Sequence, residues 1–142
     1  MFDAQLRPLI DRFLNPIGRG LVTFGVTANQ VTMIGAAFGL IAAGFVVAGL
    51  LHPALWFVIA NRVIDGLDGA VARASRSSDF GGYLDIVSDF IFYSALPLAF
   101  AVARPETALA AAFLIFSFIG TATSFLGFAI LAEKHHVTTQ IR

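Results

Sequence analysis

Apolar residues dominate four long stretches of the chain, and short polar breaks separate them. The stretches cover residues 30–51, 54–73, 82–103 and 107–132. Each is near the ~20 residues that a helix needs to cross a hydrocarbon core. The pattern therefore predicts an all-α integral membrane protein with four transmembrane helices. Gly35 and Gly39 in the first stretch either let helices approach closely or reflect how common glycine is in membrane helices.

The segment 1–20 follows a different pattern, because its apolar positions recur at helical spacing between charged ones. These positions are Phe2, Leu6, Leu9, Ile10, Phe13, Leu14 and Ile17. The pattern predicts an amphipathic helix that lies in the membrane interface. Pro8 would interrupt a helix begun much earlier, so we expect the regular part to start near Arg7. A transmembrane domain over 21–133 would follow, and residues 134–142 would be either a cytoplasmic tail or the start of a missing segment.

Composition and charge support the membrane class. Of 142 residues, 58% are hydrophobic and 13% charged, whereas a soluble domain has about 25% charged residues. The absence of cysteine excludes disulfides and thiol chemistry, and the net charge of zero gives no case for a nucleic-acid partner. With four spans, Arg104 is the one basic residue on the opposite side from the others. The positive-inside bias then predicts a cytoplasmic location for both termini and the 74–80 loop, in the inner membrane of a bacterium.

Four aspartates interrupt the second and third apolar stretches. Asp65 and Asp68 are three residues apart, and Asp85 and Asp89 are four apart, so each pair shares one helix face. The two predicted helices are antiparallel about residue 77. Asp65 should therefore face Asp89, and Asp68 should face Asp85, up to ~12 Å from the loop.

Four carboxylates at this depth need neutralising charges. A lone carboxylate inside a membrane costs roughly 2.5–3.5 kcal/mol on insertion scales, and clustered ones repel each other. Arg62 and Arg73 supply at most two charges, and Arg62 has either a substrate role or a pairing role with Asp65. Oxygen ligands are what Mg²⁺ and Mn²⁺ prefer, and two dications would balance four carboxylates. A site with two metal ions can bind both the attacking oxygen and the leaving oxygen of an in-line displacement at phosphorus.

Small and basic residues flank the cluster. Gly69 and Gly81 lie where bulky side chains would block a diphosphate, and Ala72 adds only a methyl group to the same helix face. Arg73 can hold phosphate as a planar donor. In the loop, Arg76 could contact an acidic acceptor headgroup or anchor the loop to anionic lipid.

The cluster offers few nucleophiles of its own. Apart from Ser88, no serine, histidine or lysine lies within it. Direct displacement is therefore more economical than a covalent intermediate. Asp89 is the best candidate for the base that deprotonates an alcohol.

The whole pattern resembles the signature of the CDP-alcohol phosphotransferases, Asp-x2-Asp-Gly-x2-Ala-Arg, a spacer, then Gly-x3-Asp-x3-Asp. The chain supplies it at Asp65, Asp68, Gly69, Ala72, Arg73, Gly81, Asp85 and Asp89. Residues 27–32, Thr-Ala-Asn-Gln-Val-Thr, resemble the Thr-Pro-Asn-x-x-Thr start of the family's first span, with Ala28 where proline is usual. Residues 78–81 resemble the stretch before the second aspartate pair.

The resemblance implies an enzyme of phospholipid synthesis that moves the substituted phosphate of a CDP-alcohol, often CDP-diacylglycerol, to an acceptor alcohol and releases CMP. It implies that Asp65, Asp68 and Asp85 bind two Mg²⁺ or Mn²⁺ ions, with Asp89 near the second ion and acting as base. The residues implied to bind the CDP-alcohol are Gly69, Ala72, Arg73, Gly81, Asn29 and Ser78. The family also makes a homodimer among membrane lipids a candidate assembly.

Members of this family usually have six spans, and the present sequence ends after four. The resemblance therefore implies a C-terminally truncated, partial version of a six-helix bundle. Two alternatives to an active transferase stay open, namely an inactive fragment that binds metal and CDP only, and a membrane protein that binds or transports divalent metal. The second alternative leaves Gly69, Ala72 and Arg73 unexplained.

Overall fold

The chain folds into helices that follow the apolar stretches of its sequence. The computed structural model describes residues 2–75 and 78–134. The α-helices are α1 (Phe2–Thr23), α2 (Ala28–Val47), α3 (Leu51–Ala74), α4 (Asp79–Ala103) and α5 (Ala108–Lys134), and a 3-10 turn, Pro105–Thr107, joins the last two. The described residues form no strand, which confirms the all-α prediction. The predictions for Arg76 and for most of the tail, 135–142, concern residues outside those described.

Helix α1 starts earlier than the sequence predicts. It begins at Phe2 and passes through Pro8, so the expected start near Arg7 is wrong. Proline removes one hydrogen bond to the carbonyl four residues earlier. Both Pro8 and Pro16 lie inside α1, so the helix lacks two such bonds and still continues to Thr23.

Three helical segments are long and apolar enough to cross a membrane. They are α2, α4 and the segment Pro105–Ala132 that contains most of α5. Helix α3 has 24 residues, which corresponds to ~36 Å of helix. It falls outside this set because of its charged residues, among them Asp65 and Asp68.

Two glycines in the left-handed region of the backbone close the turns on either side of α2. Gly25 has φ +79° and Gly49 has φ +75°. After α2, the amide of Leu50 donates to the carbonyl of Phe45 at 2.8 Å, the long bond of a Schellman motif. Thr27 opens α2 with a capping box. The turn at Gly49 brings α3 back against α2, whereas the turn at Gly25 joins two helices that do not pack on each other.

Helix α2 is central to the molecule. It packs against both α3 and α4, whereas α1 packs only on α3, and α5 packs on α4 and the adjoining turn, among the described residues. Within the same residues, no Cα atom of α3 lies within 8 Å of one in α4. The core at the end of α2 is built from small side chains, with Ala43, Val46, Ala54 and Ala99 as its buried members. The two helices that carry the aspartates therefore both rest on α2, and their Cα atoms stay more than 8 Å apart.

Candidate active site

Three of the four aspartates converge in the space between α3 and α4. One carboxylate oxygen from each of Asp65, Asp68 and Asp85 lies within 4.8 Å of the other two. Asp68 is 6% exposed, and the other two are half-buried. The i,i+3 spacing on α3 and the facing turn of α4 produce this acidic group, and the pairing of Asp68 with Asp85 agrees with the antiparallel register.

Helix α2 holds one member of the acidic group in place. The Thr32 hydroxyl lies 2.8 Å from Asp68 Oδ2 and 3.0 Å from the carbonyl of Ala28, and both Thr32 and Asp68 are buried. A buried carboxylate with a donor avoids part of its desolvation cost. Thr32 is the last residue of the 27–32 motif, and the sequence alone assigns it no role at the site. Its position three residues after Asn29, on the same helix face, was the available signal.

The fourth aspartate has a different partner. Asp89 Oδ1 lies 3.0 Å from Arg62 Nη2, whereas Asp65 Oδ2 lies 3.8 Å from Arg62 Nη1. Asp89 is not part of the group of three convergent carboxylates. Of the two roles left open for Arg62, the structure shows charge pairing, and the shorter pair is with Asp89 rather than with Asp65.

A cavity of about 530 Å³ lies beside the acidic group. It is bounded by the start of α2, the end of α3 and the start of α4. Of the six residues that the resemblance assigns to CDP-alcohol binding, five line it together with Asp68 and Asp85. These five are Asn29, Gly69, Ala72, Ser78 and Gly81.

In the first cavity, Gly81 lies in close contact with the side chains of Asn29 and Ser78. A Cβ at this position would lie 2.9 Å from Asn29 Oδ1 and 3.2 Å from Ser78 Oγ. The Ser78 hydroxyl also accepts a hydrogen bond from the Gly81 amide at 3.0 Å and caps α4. A larger residue at 81 would displace the side chains of Asn29 and Ser78, so the glycine preserves the polar lining of the cavity.

Arg73, the sixth assigned residue, does not line the first cavity. Its Nη2 donates to Asp11 Oδ1 at 2.8 Å and to Asn15 Oδ1 at 3.1 Å, both on α1. Its Nη1 would be 3.3 Å from a Cβ at Gly69, so this glycine leaves room for the guanidinium. Arg73 borders a second cavity of about 830 Å³ between α1 and the acidic group. The assignment of Arg73 to the CDP-alcohol stays a prediction, and the side chain lines the second cavity rather than the first.

The acidic group fits a hard divalent cation. Three carboxylates from two helices present oxygen ligands within 4.8 Å of one another, and Mg²⁺ and Mn²⁺ prefer such ligands. A second ion would find fewer free ligands, because Arg62 binds the fourth carboxylate.

The sequence comparisons agree with this geometry. The profile of the CDP-alcohol phosphatidyltransferases matches residues 25–141. The chain belongs to this family. Members are membrane-bound transferases that act on CDP-linked lipids and alcohols and use divalent metal ions.

Three members of the family illustrate the range of similarity. The chain is 45% identical over 138 residues to the inner membrane protein YnjF of Escherichia coli strain K12, covering 96% of this chain and 67% of that protein. It is 34% identical over 93 residues to the archaetidylinositol phosphate synthase of Pyrococcus horikoshii, covering 61% and 46%. It is 37% identical over 92 residues to the phosphatidylinositol phosphate synthase of Mycobacterium marinum, covering 60% and 37%. The chain thus spans less than half the length of either synthase. No solved structure gives a significant match.

Several residues of the site come from outside the signature. Thr32 contacts Asp68, Asp11 binds Arg73, and Tyr93 lies 3.0 Å from Arg62. Tyr93 shares a face of α4 with Asp89, four residues earlier, so spacing could have indicated it. Nothing local in the sequence signals Asp11, because its contact depends on how α1 docks.

Proposed function

We propose that this chain transfers a phosphatidyl or related phospho-alcohol group from a CDP-alcohol, such as CDP-diacylglycerol, to an acceptor alcohol and releases CMP. The proposal places the enzyme in phospholipid synthesis. It further places the site and both chain ends on the cytoplasmic side, since the basic residues concentrate there.

One observation carries the proposal: the acidic group borders two cavities that differ in their lining. Asp68 and Asp85 line both cavities, whereas Asp65 and Asp89 line only the second of the two. A transfer enzyme needs this arrangement, because donor and acceptor must meet at one phosphorus from opposite sides. A site for metal storage alone would have no use for it.

The first cavity suits the nucleotide diphosphate. Gly69, Ala72 and Gly81 add no bulk to its wall, and Asn29 and Ser78 offer polar groups. Mg²⁺ or Mn²⁺ held by Asp65, Asp68 and Asp85 would neutralise the charge of the diphosphate.

The second cavity suits the acceptor, since Asp89 opens onto it. In the proposed step, the acceptor hydroxyl gives its proton to Asp89 while its oxygen attacks the phosphorus that carries the lipid alcohol. The bond from that phosphorus to the bridging oxygen of the diphosphate breaks. CMP leaves with the electron pair, and the new phosphodiester remains in the membrane.

The choice of acceptors to test follows from charge and from the relatives. Arg62 and Arg73 both line the second cavity and supply positive charge there. Two relatives are named as synthases of inositol phosphate lipids. Inositol phosphate and glycerol phosphate are therefore the first acceptors to test, before serine and amino alcohols.

The test is CMP release by the purified chain in lipid nanodiscs, with radiolabelled CDP-diacylglycerol, Mn²⁺ or Mg²⁺ and the acceptor panel. We expect release that requires both acceptor and dication. Asp89→Asn should reduce turnover by at least about 100-fold, the lower range of general-base effects, and keep metal and CDP binding. Glu106→Gln, in the turn before α5, is the matched control and should behave like the unmodified chain.

Other outcomes separate the alternatives. Retained turnover in Asp89→Asn would rule out Asp89 as the base. Metal and CDP binding without transfer to any acceptor would identify a binding protein without activity. Dication flux into liposomes without nucleotide binding would favour transport.

A further inference from the structure

The Arg62 guanidinium is held on several sides at once. Its Nε donates to Asn61 Oδ1 at 2.8 Å, its Nη1 to the Tyr93 hydroxyl at 3.0 Å and its Nη2 to Asp89 Oδ1 at 3.0 Å. Its Cζ lies 4.4 Å from the centre of the Phe92 ring, within the range of a cation–π interaction. Each of the three guanidinium nitrogens donates one of these bonds, so the orientation of the planar group is fixed relative to α4.

Asn61 ties this arginine to the central helix. It is 3% exposed, and its Nδ2 donates to the backbone carbonyl of Gly35 on α2 at 2.8 Å. Since the amide nitrogen is used in that bond, the amide oxygen is the atom turned toward Arg62. The backbone of α2 therefore sets the position of the guanidinium through one buried amide.

Gly35 and Gly39 make room for the same network. A Cβ at Gly39 would lie 2.7 Å from Phe92 Cδ2 and 3.2 Å from Asn61 Nδ2. A Cβ at Gly35 would lie 3.2 Å from Ile64 Cγ2. These two glycines of α2 thus accommodate side chains of α3 and α4. Because the two glycines are four residues apart, they lie on the same face of α2, next to the groups that hold Arg62.

We propose that Arg62 is a positioning residue that acts through Asp89. By binding Oδ1, it fixes the plane of the carboxylate and leaves the other oxygen for the acceptor hydroxyl in the second cavity. Its positive charge also compensates the charge of Asp89, and the three convergent carboxylates remain available for metal. This inference rests on the proposed transfer function, because it assigns Asp89 the proton.

Lysine cannot replace this arginine. Its ammonium is a single point charge and cannot reach the amide of Asn61, the phenol of Tyr93 and the carboxylate of Asp89 in one plane. Arg62→Lys therefore keeps the charge and removes the orientation. Tyr93→Phe keeps the ring and removes one of the three acceptors of the guanidinium.

The experiment measures kcat and KM for CDP-diacylglycerol, with the Kd of Mn²⁺ and of CDP, in nanodiscs. For Arg62→Lys we expect kcat to fall on the order of 100-fold, as for a misplaced reacting group, while KM and both Kd values stay within about twofold. Tyr93→Phe should lower kcat by a smaller factor in the same manner. Turnover of Arg62→Ala should be partly restored by added ethylguanidinium. Arg104→Lys, at the far end of α4, is the control and should leave all values unchanged.

The results that overturn the inference differ from those that overturn the function. A kcat for Arg62→Lys within about threefold of the unmodified chain, or a Kd for CDP that rises in parallel with the loss of kcat, would contradict the positioning role alone. If Arg62→Ala does not fold, Tyr93→Phe still decides, since an unchanged kcat there removes the claim. A lack of CMP release from the unmodified chain would overturn the transfer function and, with it, the role of Arg62.

Discussion

Asp68 is the buried member of the acidic group, and its hydrogen bond from Thr32 is its contact with α2. Groups that orient a metal ligand affect metal affinity although they do not touch the metal. The Thr32 hydroxyl has this relation to Asp68. Thr32 lines the first cavity together with Asp68, and its hydroxyl also contacts the α2 backbone at the carbonyl of Ala28.

Thr32→Val tests this relation. The substitution keeps the shape and removes the hydroxyl, so Asp68 loses its donor. We expect Mn²⁺ affinity, measured by calorimetry, to weaken by about 10- to 100-fold. Thr32→Ser restores the hydroxyl and should bind Mn²⁺ like the unmodified chain. An equal affinity of the valine and serine variants would show that the hydroxyl does not orient Asp68.

Spacing predicts the residues of the acidic group better than it predicts their partners. The positions of Asp65, Asp68 and Asp85 follow from helix periodicity and one antiparallel turn, both of which are local. The partner of Arg62 does not follow, since Asp65 is nearer in sequence and Asp89 is nearer in space. That choice depends on Asn61 and Phe92, whose contacts exist only after α2, α3 and α4 have packed.

At the scale of the helices, α1 forms one wall of the active site. It docks on α3 by close contact at Gly18, where a Cβ would lie 2.8 Å from the backbone carbon of Ala70. Leu14 likewise packs where Gly66 leaves space, and Asp11 binds Arg73. The sequence predicts an amphipathic α1 from its periodicity. It does not predict that this helix covers the second cavity, because periodicity identifies a face without its partner.

Two glycines of α1 provide a matched test of the docking. Gly18→Ala would place a methyl group against the α3 backbone and should destabilise the chain by about 1–3 kcal/mol, as overpacking does. Gly20 has nothing within 4 Å of its Cβ position, so Gly20→Ala should gain up to about 1 kcal/mol from helix propensity. Thermal unfolding in detergent measures both. An equal response of the two variants would mean that α1 does not rest on α3 at this point.

At the scale of the molecule, α3 and α4 both pack on α2. Helix α1 packs on α3, and α5 packs on α4. Large apolar side chains of α5, such as Leu109, Phe113 and Phe116, are 71–84% exposed, as suits contact with lipid or another helix. The homodimer stays a prediction.

This arrangement predicts that dications stabilise the whole fold. Since the carboxylates of α3 and α4 face each other across a gap, an ion bound by Asp65, Asp68 and Asp85 would join the two sides and relieve their repulsion. At 100 times its Kd, a ligand that binds only the folded state adds about 2.7 kcal/mol. We therefore expect Mn²⁺ to raise the unfolding temperature of the unmodified chain and EDTA to reverse the effect. Asp85→Asn should lose most of the rise, and an undiminished rise in that variant would place the ion elsewhere.

The distance between α3 and α4 has one more consequence. Since the Cα atoms of these helices stay more than 8 Å apart, the width of the opening between the two aspartate pairs is set by the third helix, against which both rest. Residues on α2 that never meet a substrate, such as Gly35 and Gly39, therefore act as spacers. Among proteins built on this plan, a change of bulk on that spacer would widen or narrow the opening and alter which headgroups fit, with every reacting side chain unchanged.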